Sequence, residues 1–221
     1  IVDHISSRLY CVSNNCVNNL LKEGIDKDKI VLVGDTMYES ILQHDGDIIA
    51  SKNRDLIPKK YGVLTLHREG NLNDLDILER IIDAFFKIDI KIVFPCHPHT
   101  RKILNSLKLT SIYKRFAVVN PLPYYEMLSL VKNASVVITD SGGLQKEAYW
   151  LGTPCVTLRD TTEWVETVNA GANVIVGSDP QKIILGIKSA LKTGFHVSDK
   201  DNDLTLRGAS KEILNDLLRS V

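Results

Sequence analysis

The stretch VVITDSGGLQKEAYWLGTP, from Val136 to Pro154, decides the fold. Val136, Val137 and Ile138 are a β-branched run of the kind that becomes a buried strand. Thr139-Asp140-Ser141-Gly142-Gly143 follows as a polar, glycine-bearing turn. Leu144, Ala148 and Leu151 then recur at helical spacing, and Gly152 with Pro154 ends the helix. Strand, tight turn and helix in this order can bind an anion. The first helical N–H groups have no partner within the helix, and the helix dipole adds positive charge there. Gly142 and Gly143 carry no side chain, so a phosphate can approach the backbone. Glu147 stands about one helical turn past Gly143, where a carboxylate can reach the two hydroxyls of a ribose. The same residues also describe a plain turn with Ser141 as an N-cap, and the stretch alone leaves both readings open.

Working outward, the pattern of short apolar run, polar turn and amphipathic run repeats along the chain. Strands are read at residues 8–12, 29–34, 62–66, 90–94, 116–119, 155–158 and 174–176, besides the one at 136–138. Helices are read at 14–24, capped by Asn14 and stopped by Gly24, and at 35–44, 73–88, 100–107, 124–131, 163–170, 179–191 and 208–218. The strongest is 73–88, with Leu75, Leu78, Ile81, Ile82 and Phe85 on one face. Residues 45–60 read as a surface loop, and Thr161 or Thr162 as the cap of the helix from Glu163. Strands alternating with helices predict βαβ units and a mostly parallel sheet covered on both faces. With no repeat and no linker, one doubly wound α/β domain over residues 1–221 is the simplest account.

In such sheets ligands bind beyond the carboxyl ends of the strands. The polar clusters fall there: His67-Arg68, His97, Asp140-Ser141-Gly142-Gly143 and Arg159-Asp160. Arg68 offers a forked donor and His67 a proton, which together suit a diphosphate. His97, in Pro-Cys-His-Pro, reads equally as a loop histidine bonded to backbone, and His97 with His99 makes a poor metal pair because no further ligand has matching spacing. Tyr124 and Tyr125 either frame a flat base or pack a helix start. No nucleophile–base set follows from spacing alone.

Composition narrows the classes. Formal net charge is zero, with 27 basic and 27 acidic residues, and no basic stripe suits nucleic acid. Cys11, Cys16, Cys96 and Cys155 lack zinc-type spacing and fit a reducing cytosol better than a disulfide framework. No apolar run is long enough to span a bilayer, so neither membrane nor nucleic acid is an expected partner. The sequence opens at Ile1 without methionine, inside an apolar pattern, from which a preceding segment is expected.

ITDSGGLQKEAYWLGTPCVTLRDTTEWVETVNAGANVIVG, with TLHRE upstream and PCHP between, resembles the non-hydrolysing UDP-N-acetylglucosamine 2-epimerases over nearly the whole chain, as the second half of that family's protein. The resemblance implies a GT-B-type enzyme of two Rossmann-like domains with the active site in the cleft between them. The first domain, which carries most of the proton-transfer carboxylates, is absent here. It also implies interconversion of UDP-GlcNAc and UDP-ManNAc: the C2 proton is removed, UDP leaves C1 to give a 2-acetamidoglucal, and UDP adds back with C2 inverted. No nicotinamide, metal or other cofactor is implied. Cytoplasmic polysaccharide-precursor synthesis and a homodimer are.

Carried over residue by residue, Ser141, Gly142 and Gly143 hold the diphosphate and Glu147 the ribose. His67 stabilises departing UDP, Arg68 supports it, His97 lies near the nucleotide, and the Pro121–Met127 turn takes the uracil. The chain departs from the family's usual pattern at Glu69, which comes one place early, and at Trp164, where Thr-Glu-Arg-Pro-Glu would have arginine. Thr162-Glu163-Trp164-Val165-Glu166 resembles members acting on other UDP-2-acetamido sugars. As a fragment the chain is expected to be inactive. The alternatives are an epimerase of another such sugar, the donor domain of a glycosyltransferase, or a nucleotide-binding module without catalysis.

Overall fold

The computed structural model describes residues 1–46, 60–106, 112–193 and 203–219. Most of the expected 45–60 loop lies outside the described residues, as do residues 199–202 of the stretch Asp199–Asp203, whose acidic residues read as a solvated loop.

Where the sequence suggests one domain over 1–221, the chain forms two compact units, Ile1–Asp45 with Ser198–Val221, and Gly46–Val197. The reason is strand pairing: the first two strands pair with each other and not with the other six. The first unit holds α1 (Val2–Ile5), β1 (Leu9–Cys11), α2 (Asn14–Lys22), β2 (Ile30–Leu32), α3 (Thr36–Gln43) and, from the chain's end, α12 (Ala209–Arg219). β1 and β2 run parallel, with Tyr10 opposite Val31. A small core of Cys11, Leu20 and Ile25 sits beneath them. The side chain of Ser13, not Asn14, caps α2, and Gly24 ends it with φ +82°. β2 is only half-buried, with Leu32 exposed, where a buried strand is expected. Arg8 grips Asp216 of α12 through both forks, with Nε donating to Oδ2 at 2.7 Å. Glu39 of α3 accepts from the Ser210 amide at 3.0 Å and from its hydroxyl at 2.5 Å, so a carboxylate caps α12.

The second unit holds β3 (Tyr61–Thr65), α4 (Glu69–Leu72), α5 (Leu75–Phe86), β4 (Lys91–Pro95), α6 (Pro98–Ser106), α7 (Ile112–Arg115) and β5 (Phe116–Val119). It continues with α8 (Tyr124–Lys132), β6 (Val136–Thr139), α9 (Gly142–Trp150), β7 (Cys155–Thr157), α10 (Val165–Asn169), β8 (Asn173–Ile175) and α11 (Pro180–Thr193). The six strands lie in the order β5-β4-β3-β6-β7-β8 and all neighbours are parallel.

Both faces of this sheet are covered, which is why its strands read as unbroken apolar runs. Val136 and Ile138 of β6 point into a layer with Leu78, Ile81 and Phe85 of α5 and Ile183 and Ile187 of α11. Val137 points the other way, to Leu130 and Val131 of α8 and Leu144 and Ala148 of α9. Close approach is built in where α11 crosses the sheet: a Cβ on Gly186 would lie 2.9 Å from Val176 Cγ1 and 3.4 Å from Val156 Cγ1. Leu75, expected on the buried face of α5, is 41% exposed, because Asp74 caps the helix and leaves Leu75 at its first, outward position.

The strand order has a functional consequence. From β3 the chain winds outward one way through β4 and β5, then returns to β6 and winds the other way through β7 and β8. The reversal leaves a crevice beyond the carboxyl ends of β3 and β6, where successive loops part to opposite faces of the sheet.

Candidate functional site

β3 and β6 meet in register, Thr65 opposite Thr139, and the two hydroxyls share a hydrogen bond of 2.6 Å. Thr139 Oγ1 also accepts the Ser141 amide at 2.9 Å, which turns the chain sharply after β6. Ser141 then caps α9, its Oγ accepting the Leu144 amide at 3.4 Å. α9 therefore begins at Gly142, two residues before the first apolar residue of its pattern, and directs its N-terminus into the crevice.

Asp140 ties the two strand ends together. Its carboxylate is fully buried and accepts the amides of His67 (3.0 and 3.1 Å) and Arg68 (3.0 Å) and the Asn71 amide nitrogen (3.1 Å). Asn71 reaches on to the Leu158 carbonyl at 3.1 Å, joining the loop after β7. A buried carboxylate is tolerated because several N–H groups replace its water.

The result is a cleft of about 320 Å³ lined by Thr65, His67, Pro95, His97, Pro121, Leu122, Met127, Ser141, Gly143, Leu144 and Glu147. Of the residues expected from sequence, the cleft brings together His67, His97, Ser141, Gly143 and Glu147. Arg68 and Gly142 are not in its lining. Arg68 reaches Glu163 at 3.6 Å, and Glu163 is held by Arg159 through two hydrogen bonds of 2.7 and 3.0 Å. The Arg159 guanidinium keeps the Glu163 carboxyl below the usual carboxylate range. His97 Nδ1 accepts the His99 amide at 3.3 Å, which fixes its ring at the cleft edge. Among the described residues, no three His, Cys, Asp or Glu side chains cluster as metal ligands.

Tyr124 and Tyr125 do not frame the cleft. They stand exposed at the start of α8, with ring centroids 5.5 Å apart, while Leu122 and Met127 are in the cleft's lining. The helix expected from Glu163 starts at Val165 with Trp164 in the capping position, and Thr162 Oγ1 accepts the Trp164 amide at 3.1 Å. Sequence reasoning assigns no role to Asp140, Asn71 or Gln145. Gln145, fully buried, accepts at Oε1 from Thr162 Oγ1 (2.6 Å) and Asn173 Nδ2 (3.1 Å). For Gln145 the available signal is polarity: a glutamine inside an otherwise buried helix needs partners.

Chemically, the cleft is mixed. Pro121, Leu122 and Met127 give it apolar surface, Glu147 a carboxylate, and Ser141 with Gly143 bring the start of α9 to its wall. That combination suits a ligand with a flat apolar part, hydroxyls and an anionic group. The family model described as UDP-N-acetylglucosamine 2-epimerase matches residues 1–218. The chain belongs to this family.

Among its relatives, a UDP-N-acetylglucosamine 2-epimerase of Methanococcus maripaludis is 38% identical over 218 residues, covering 92% of this chain and 59% of the relative. A UDP-2,3-diacetamido-2,3-dideoxy-D-glucuronate 2-epimerase of Pseudomonas aeruginosa is also 38% identical, over 86% of this chain and 54% of its own length. The crystal structure of the Methanocaldococcus jannaschii UDP-GlcNAc 2-epimerase, in complex with UDP-GlcNAc and UDP, superposes with a TM-score of 0.87 at 36% identity. That match covers 98% of this chain and 62% of the other. The doubly wound α/β fold of the epimerase family, of GT-B type, is thus the fold of this chain. The chain spans somewhat over half the length of the relatives it matches.

Proposed function

We propose that this chain is the UDP-binding portion of a UDP-N-acetylglucosamine 2-epimerase, an isomerase that interconverts UDP-GlcNAc and UDP-ManNAc. The lining of the cleft, with Glu147 and the start of α9 beside apolar Leu122 and Met127, carries the reading. The uracil lies against Leu122 and Met127, the ribose hydroxyls bond Glu147, and the diphosphate meets Ser141, Gly142 and Gly143 at the start of α9. Preorganised amides there stabilise charge that grows on UDP as the C1–O bond breaks, and cost no reorganisation at that moment. His67 lines the same cleft and steadies the departing diphosphate, supported by Arg68, the next residue in the chain. The products are UDP and a 2-acetamidoglucal, and re-addition of UDP with a proton to the opposite face of C2 completes the inversion. These steps need no nicotinamide.

A base for C2 has to come from outside the described cleft. We place it on a domain that this chain does not contain, supplied in cis or in trans. Two observations support that. The chain covers 59% of a relative's length, and among the described residues β1 with β2 forms a two-stranded sheet, a form marginal by itself. The chain alone accordingly binds UDP but turns over little or no UDP-GlcNAc. A homodimer and a cytoplasmic setting belong to the same reading. Four free cysteines support the setting, and no described helix is long and apolar enough to cross a membrane.

Calorimetric titration of the chain with UDP, UMP and uridine tests the proposal. A steep loss of affinity from UDP to uridine is expected, and equal affinity for all three would contradict it. Solvent deuterium entering C2 of UDP-GlcNAc, once the missing domain is supplied and with no acceptor present, separates an epimerase from a glycosyltransferase.

A further inference from the structure

On the footing of the nucleotide reading above, we infer that Trp164 determines which sugar is accepted beyond the diphosphate, and that Lys146 is the residue that positions it. Lys146 lies on α9 with 6% exposure, and its Nζ stands 4.1 Å from the Trp164 ring centroid and 5.4 Å from that of Trp150. A buried ammonium is costly unless something replaces its water, and the faces of two indoles do so. The preceding residue, Gln145, fastens the same loop by its backbone side: it accepts from Thr162, which in turn accepts the Trp164 amide. Two successive residues of α9 thus fix both the chain and the ring at Trp164.

The fixed ring stands beside the helix mouth at Gly142. A Cβ built on Gly142 would stand 3.4 Å from Trp164 Nε1, 3.7 Å from Glu163 Oε2 and 3.8 Å from Arg159 Nη1. None of these three side chains lines the cleft. A ligand whose nucleoside fills the cleft and whose diphosphate meets the amides of α9 carries its sugar out past Gly142, onto this rim. The indole offers a flat apolar face for the pyranose or its acetamido methyl and an N–H for a hydroxyl or carbonyl.

The test is calorimetry of the 221-residue chain with UDP and with UDP-GlcNAc. The expected result is that the ratio of UDP-GlcNAc to UDP affinity falls about 3- to 10-fold in Trp164→Leu and in Lys146→Met. Lys146→Arg, which keeps a cation on the rings, restores it. In a Trp150→Phe background Trp164 is the only remaining tryptophan. Its emission should respond more to UDP-GlcNAc than to UDP, and Lys146→Met should alter it before any ligand is added. An unchanged affinity ratio in both Trp164→Leu and Lys146→Met overturns the inference. So does an equal loss for both ligands, which marks a purely structural role. Failure of the unaltered chain to bind UDP contradicts the nucleotide reading itself, whereas UDP binding with unaltered discrimination contradicts only the inference about Trp164.

Discussion

Asp140 is the residue on which the site's geometry depends. Its carboxylate holds the amides of His67 and Arg68 across the gap between two strands, so the imidazole and the start of α9 keep a fixed spacing. Asp140→Ala leaves those part-buried donors without their acceptor, and we expect a loss of about 1–3 kcal/mol in denaturant unfolding, with UDP affinity falling alongside. Glu147→Gln should act differently: UDP affinity falls about tenfold or more while stability changes little, and 2′-deoxy-UDP, which keeps only the 3′ hydroxyl, loses less from the change. Calorimetry on the two nucleotides checks it. At this scale the sequence is legible where local chemistry is enough. Ser141 as a cap, the glycine pair and the polar residues at strand ends follow from neighbours in the chain. Asp140 is not legible, because its partners lie 72 and 73 positions away. Nor is the fact that Leu122 and Met127 rather than the tyrosines line the cleft, since that depends on how α8 sits on the sheet.

Among elements, the helices and strands with strong periodicity emerge close to where the sequence puts them, as at β5, α8 and α11. Helices of a single turn, such as α4 and α7, carry no periodic signal and were not expected. Boundaries shift where a side chain overrides the pattern: Thr139 and Ser141 start α9 at Gly142 instead of Leu144. The fit between α11 and the sheet offers a clean test. Gly186→Ala places a methyl group 2.9 Å from a Val176 methyl, and β-branched valine has little freedom to move aside. Stability should drop by about 1–3 kcal/mol, read in chemical denaturation, with UDP affinity unchanged. An unaltered midpoint would mean that α11 adjusts freely and that the helix does not brace the sheet.

For the molecule as a whole, topology turns separate elements into a site. Only the reversal of winding between β3 and β6 brings His67 and the Ser141 turn to one crevice, and strand order cannot be read from alternation alone. Alternation likewise left the two units unseparated, because β1 and β2 look like any other βαβ pair until their pairing is known. The first unit has its own pH signature. The Arg8 guanidinium holds the Asp216 carboxyl down from 3.8 to about 2. Since the folded state depresses this group, its contribution is complete above the ordinary carboxylate range and fades as pH falls from 3.8 toward about 2. Acid titration followed by circular dichroism should show α12 loosening over that window, and Asp216→Asn should remove the dependence. The central claim remains the grip of α9 on a diphosphate, and a crystal structure of the chain soaked with UDP tests it most directly. The account predicts phosphate oxygens within hydrogen-bond reach of the Gly142 and Gly143 amides, with uracil against Leu122 and Met127. Phosphates bound away from the α9 terminus, with the cleft between His67 and Glu147 filled only by water, would contradict it.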